Sequence, residues 1–194
     1  CWDPDTNEYQ LVVGTDLREP YGLAVDPQGN LLIANKLQHR ICRWKNGKLE
    51  DIHTFDHDGH RKNKFKYTEN FPETPTGIFF EKQHNTILVA YSDDHTIYRI
   101  HPNGRLELVL GIPPSQNYVF AGCTEHIPPE KLPYPIHMPT CVVARPDGTI
   151  FFIERAYQTV REYHPSRGMH CLFPIALQSE FENITNPPDN LKID

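Results

Sequence analysis

Residues 51–67, DIHTFDHDGHRKNKFKY, hold the densest run of chemistry-bearing side chains in the chain. His53, His57 and His60 stand beside Asp56 and Asp58. Imidazoles at this density suit a transition metal such as Zn²⁺ or a surface that responds to pH. The spacing does not make the three rings converge, and a solvated loop with histidines pointing apart accounts for the same residues. The peptide ends in Arg61, Lys62, Lys64 and Lys66 interleaved with Phe65 and Tyr67, a mixture of charge and stacking surface suited to single-stranded RNA. Glu154, directly after an apolar run, is a further carboxylate of interest. An ion pair with Arg155 or Arg161 is its simplest role. Nucleophilic catalysis has no support: the sequence holds no G-x-S-x-G elbow, no glycine-rich phosphate loop and no Cys–His pair in a recognisable motif.

Composition narrows these options. The chain has 194 residues, 38% hydrophobic and 23% charged, enough for one sizeable soluble domain. Eighteen prolines imply frequent turns and few long helices. A net charge of −6 argues against nucleic acid as the main partner. No apolar run is long enough for a membrane span, and no signal-peptide pattern opens a chain that can itself be a trimmed piece. The five cysteines, Cys1, Cys42, Cys123, Cys141 and Cys171, are an odd number, so at least one is unpaired within the chain. None stands at C-x-x-C spacing, which disfavours a structural zinc site. Cys123 and Cys141 bracket a proline-rich loop; they either pair or remain buried thiols like the others. Asn183-Ile184-Thr185 satisfies the glycosylation sequon.

The elements that must position these residues recur. PYGLAVD at 20–26, PTGIFFE at 75–81, PTCVVAR at 139–145 and PPDNLKID at 187–194 share a proline, a variable residue, a small residue or Asn, then alternating apolar positions. The first three each continue through a turn to a solid apolar run: LLIA, ILVA or IFFI. A strand apolar on both sides is one covered by neighbours on both sides. A third strand (HRICRW, HTIYRI, QTVREY), a second tight turn and a fourth strand complete each unit. The spacings between Pro20, Pro75, Pro139 and Pro188 are 55, 64 and 49 residues, and the inequality falls almost wholly in the joints 56–74, 112–138 and 174–187. Constant meanders with variable joints describe an all-β propeller of four-stranded antiparallel blades. The expected units are a partial blade at 1–14, blades at 20–56, 75–111 and 139–174, and the start of another at 187–194. In this register Trp2 falls where Trp44 and Tyr163 fall. Three whole blades with two remnants do not comfortably shut a ring, so a segment of a larger propeller is expected.

Residues 20–44, PYGLAVDPQGNLLIANKLQHRICRW, resemble the NHL repeat, with its Pro-x-Gly, Val-Asp-x-x-Gly-Asn, apolar strand and His-Arg-Ile. The later units keep the frame and lose parts of it. The Asp that follows the apolar strand in the family is Asn35, Tyr91 and Glu154 here. The grammar is similar to that of gluconolactonase-like six-bladed propellers, whose resemblance implies a divalent ion at the channel mouth. The corresponding positions are Tyr21, Thr76, Thr140 and Asp189, of which only Asp189 matches a ligand. A Ca²⁺ or Zn²⁺ site would rest on Asp189 alone, and one carboxylate does not make a site. Some NHL propellers bind single-stranded RNA, a further alternative for the strip at 61–67.

The leading expectation is a non-enzymatic scaffold, without a cofactor, that binds a protein or peptide through its long joints. Tyr118, Phe120, Tyr134, Ile136, Met138 and Phe181 are the candidate contact residues, being aromatic, Met or large aliphatic types that dominate interface centres. The competing reading is that they pack onto their own blades. The sequon, the linker type and the cysteines point to an extracellular setting. If the joints are purely recognition loops, deleting 115–136 abolishes partner capture and leaves the β-rich circular dichroism spectrum unchanged.

Overall fold

A computed structural model describes residues 2–9, 11–13, 16–54, 74–112, 126–129 and 134–172. They form strands joined by turns, with two short 3₁₀ turns at Lys36–Gln38 and Arg155–Tyr157. A hairpin of β1 (Trp2–Asp3) and β2 (Glu8–Tyr9) opens the chain. The first blade is β3 (Pro20–Val25), β4 (Leu31–Asn35), β5 (Arg40–Lys45) and β6 (Lys48–Thr54). The second is β7 (Pro75–Glu81), β8 (Thr86–Tyr91), β9 (Thr96–Ile100) and β10 (Leu106–Gly111). A short strand β11 (His126–Ile127) precedes the third: β12 (Pro139–Ala144), β13 (Ile150–Glu154), β14 (Thr159–His164) and β15 (Gly168–Cys171). Every blade is an antiparallel meander, as the repeat implies.

The three proline heads sit in like surroundings. Pro20, Pro75 and Pro139 pair with Asn35, Tyr91 and Glu154, and in each blade the register breaks at the next residue. The residue before each proline accepts a backbone bond from the residue after the second strand: Lys36 N to Glu19 O at 3.0 Å, Ser92 N to Thr74 O at 3.2 Å and Arg155 N to Met138 O at 3.1 Å. Trp2 pairs with Tyr9 one step from its turn, as Trp44 pairs with Leu49 and Tyr163 with Met169. The opening hairpin therefore has the register of the outer half of a blade.

Packing follows from the alternation of side chains along a strand. In β8 all six residues are buried. Ile87, Val89 and Tyr91 join Leu32, Ala34 and Ile41 of the first blade in one core. Leu88 and Ala90 join Val142, Ile150 and Phe152 of the third in another. The small residue of Pro-x-Gly has a steric reason. A Cβ added to Gly22 would fall on the carbonyl oxygen of Thr76, and one added to Gly77 would lie 2.7 Å from that of Thr140. Inner strands of successive blades thus approach backbone to backbone, closer than any side chain permits. The third blade has Cys141 at this place, and its side chain is exposed.

Two expectations need correction. The second joint is not only a connecting loop: β11 adds a fifth strand outside β15, with His126 opposite His170 and Ile127 opposite Met169. Ile127 and Ile136 are both buried in the core between the second and third blades. His53 does not lie in a loop either; it is buried near the end of β6. The deletion of 115–136 therefore removes core side chains and is expected to lower the melting temperature. Ile136→Ala alone should cost about 2–5 kcal/mol in urea unfolding. Gly22→Ala should cost about 1–3 kcal/mol by overpacking, whereas Cys141→Ala at the equivalent exposed position should leave the urea midpoint almost unchanged.

Candidate functional site

The meander places the proline heads, the joints and the turns between second and third strands on one rim. Several chemistry-bearing residues of this rim prove to be fasteners. Asn35 Oδ1 accepts from Arg18 N at 2.8 Å, and Glu154 Oε1 accepts from His137 N at 2.6 Å, in each case two residues before the repeat proline. In the second blade Asp94 Oδ2 accepts from Thr74 N, next to Pro75, at 3.1 Å. The last side chain of the second strand, or one nearby, pins the incoming joint. Glu154 also faces Arg161 at 3.5 Å, both almost fully buried between blades, while Arg155 is exposed. Burial pushes the Glu154 carboxyl up, against the opposing charge of Arg161 and the bond from His137.

Beside this pair lie His95, His137 and Tyr157. The His95 and His137 rings are 4.7 Å apart between centroids, and Tyr157 stands edge-on to His137 at 5.6 Å. His95 Nδ1 accepts from Met138 N at 3.1 Å, so that nitrogen carries no proton. Burial lowers both imidazole pKa values, and the charge of His137 lowers that of His95 further. These two histidines had no signal in the sequence, because 42 residues separate them. Among the described residues no three His, Cys, Asp or Glu side chains converge to hold a metal ion.

The channel-mouth positions diverge. Thr76 is 2% exposed, and its hydroxyl lies 3.1 Å from Ala90 O and 3.3 Å from Pro139 O. Thr140 is half-buried, and Tyr21 is exposed with Lys36 Nζ 5.7 Å from its ring centre. Asp189 lies outside the described residues, as do Tyr118, Phe120, Phe181, His57, His60, Cys123 and the basic strip at 61–67. Of the candidate contact residues that are described, Tyr134 packs against the core, Ile136 is 1% exposed within it, and Met138 is half-buried with φ at 54°. Tyr134 and Ile136 thus contribute to the core between the second and third blades. Cys141 is an exposed thiol, Cys171 Sγ lies 2.9 Å from Thr159 Oγ1, and Cys42 is a buried thiol whose pKa burial pushes up to about 12.

On the opposite rim a cleft between the second and third blades is lined by Arg99, His101, Glu107 and Tyr163. Arg99 holds Glu81 through Nε at 2.6 Å and Glu107 through Nη1 at 3.0 Å, and His101 Nε2 meets Glu107 Oε2 at 2.7 Å. Burial alone would raise the Glu107 pKa, but the His101 bond and the charges of Arg99, His101 and Arg105 outweigh it and lower it. These charges satisfy one another. A different surface runs across the inner strands of all three blades: a groove of about 500 Å³ lined by Leu23, Val25, Phe79, Cys141 and Val143, with Glu81, Lys82, His84 and Arg145 at its end. Leu23, Val25 and Val143 are 66%, 55% and 43% exposed.

No family model and no curated protein sequence matches the chain. Solved structures do match. A streptogramin B lyase superposes with a TM-score of 0.50 at 15% identity, over 90% of this chain and 43% of that one. A gluconolactonase from Xanthomonas campestris gives 0.54 at 15% identity over 80% and 47%, and an auxiliary nutrient binding protein from Bacteroides ovatus gives 0.53 at 18% over 80% and 36%. The shared repeat of radially packed meanders decides the fold. The chain is a β-propeller segment.

It spans less than half the length of each of these three propellers. No helix among the described residues is long and apolar enough to cross a membrane. The rim of the propeller has a pH signature. A histidine with a depressed folded pKa contributes stability that is complete above its unfolded value of 6.5 and is lost as pH falls through the folded value. Glu154, raised by burial, acts in the opposite sense, its contribution being lost as pH rises through its folded value. Thermal melts between about pH 7.5 and 5 should fall on acidification, and His95→Gln, which keeps an acceptor for Met138 N, should flatten that fall. Glu154→Ala removes the acceptor of His137 N and the charge facing Arg161, and should lower the melting temperature near neutral pH.

Proposed function

We propose that this propeller is a non-enzymatic, NHL-like scaffold that binds an extended peptide or a protein segment. The observation that supports it is the apolar groove across three inner strands, with its exposed Leu23, Val25 and Val143. The inner strands β3, β7 and β12 are each the terminal strand of their sheet, so their outer backbone edges have no neighbour within the sheet. An extended chain can pair with such an edge while its alternate side chains enter the groove. The charges at the groove's end, Glu81, Lys82, His84 and Arg145, are of both signs and would orient a partner without selecting polyanions. The NHL assignment belongs to the same reading. It rests on the Pro-x-Gly heads, whose glycines the close approach of inner strands explains.

A divalent-metal hydrolase is the competing use of the same fold, with Asp189 as ligand. Thr76 weighs against it, because its hydroxyl is committed to two carbonyls of neighbouring strands instead of facing an ion. Selection from a displayed library of random peptides, followed by calorimetry on the purified chain, separates the two. Peptides with alternating apolar residues should be selected, and Leu23→Glu or Val143→Glu should weaken them by about tenfold or more with unchanged circular dichroism. Equal affinity in both variants would remove the groove from the reading. Lactone hydrolysis that needs Ca²⁺ or Zn²⁺ and disappears in Asp189→Ala would replace it with the hydrolase.

A further inference from the structure

We propose that His126 and His170 form a two-imidazole site for a borderline transition-metal ion, Zn²⁺, Ni²⁺ or Cu²⁺, at the outer edge of the third blade. The two residues are direct cross-strand partners on β11 and β15, so their side chains leave the same face of the sheet. Their Nδ1 atoms are 3.2 Å apart and share one proton in a hydrogen bond, which a bound ion would displace. The ring centroids are 4.3 Å apart with planes inclined by 33°, so the nitrogens lie closer than the ring centres and the two Nδ1 edges lean together. Two nitrogens each about 2.0–2.1 Å from a tetrahedral zinc ion are roughly 3.3–3.4 Å apart. The observed separation meets that requirement with a shift of a few tenths of an ångström.

The backbone under the site is fixed before any ion arrives. Ile127, next to His126, is 2% exposed and pairs with Met169, which is fully buried next to His170. Gly168 lies so close beneath Ile127 O that a Cβ there has no room. Little ordering remains for the ion to impose, which favours affinity at a site with few ligands. His126 is exposed, so the ion keeps water in its other positions. Glu162, the register partner of His170 on its other side, is held by Arg167 Nη2 at 3.1 Å and is not counted as a ligand. Imidazole nitrogens select borderline metals over Ca²⁺ and Mg²⁺, which take oxygen ligands. Such an ion would staple the second joint to the outer strand of the third blade. Neither His126 nor His170 belongs to the 51–67 run.

The test uses the 194-residue chain with Zn²⁺ alone. At a hundredfold excess over the measured Kd, the melting temperature should rise by roughly 5–10 °C, and Ca²⁺ and Mg²⁺ should not produce it. His126→Ala, His170→Ala and the double variant should lose the same increment, while His57→Ala/His60→Ala keeps it. Nitrogen-15 spectra should show Zn²⁺ perturbing Nδ1 of two histidines that vanish from the spectrum in those variants. A full rise retained in either single variant, perturbation at other histidines, or no response to Zn²⁺ in the unmodified chain would each overturn the site. Metal-free melts of the variants verify that they fold, since neither side chain belongs to the core.

Discussion

A four-stranded sheet with apolar residues on both faces has no stable existence in water, and the middle blade shows what resolves this. Five of the six buried residues of its β8 strand are divided between two cores, each completed by the sheet next door. Side-chain burial of this kind is non-directional, and by itself it would let the sheets slide. The inner strands prevent that. Because Gly22 and Gly77 have no Cβ, the backbone of each inner strand seats against the carbonyl of the next, a contact with one fitting arrangement. Cores supply the driving force and the glycine contacts set the registration.

Given that frame, the polar residues at the rim have little freedom. The chain must turn from an outer strand to the next inner strand across a surface, and its N–H groups there need acceptors. Asn35, Asp94 and Glu154 provide them, from positions close to the end of each second strand. The solution differs from blade to blade in residue but not in role. A second pairing varies further. Arg43 meets Asp26 at 3.3 Å and Arg99 meets Glu81 at 2.6 Å, whereas the third blade has Arg145 and Glu162 at the corresponding places, the signs exchanged. There Arg145 lies 4.7 Å from the Phe151 ring and Glu162 turns to Arg167.

The fold was legible because it is written in short-range patterns. Alternation, turn residues and the recurrence of Pro-x-small place the twelve strands of the three blades without any knowledge of contacts. The short β11 escaped because two residues carry no period, and its pairing with β15 spans 44 positions. The same distance hid the His126–His170 and His95–His137 pairs, while the conspicuous run at 51–67 drew notice by density alone. Composition identifies a side chain's chemistry, but convergence is a property of topology. Ile136 shows the converse ambiguity: a large apolar residue in a joint reads as a contact residue in the sequence, and in the structure it is buried in the core between two blades.

Which ligand a propeller of this kind accepts turns on what its inner strands leave unspent. A hard cation needs several oxygens free to converge. Here Thr76 has given its hydroxyl to the carbonyls of β8 and β12, and Asn35 and Glu154 hold joints. Withdrawing any of them to coordinate an ion would strand a buried donor or charge, at a cost comparable to a lost hydrogen bond or more. Among the exposed side chains along β3 and β12 are Leu23, Val25 and Val143, which offer area instead of charge. Apolar area beside unpaired strand edges is the chemistry of an extended polypeptide. The proposed extended peptide draws on these groups, which the fold has not already consumed.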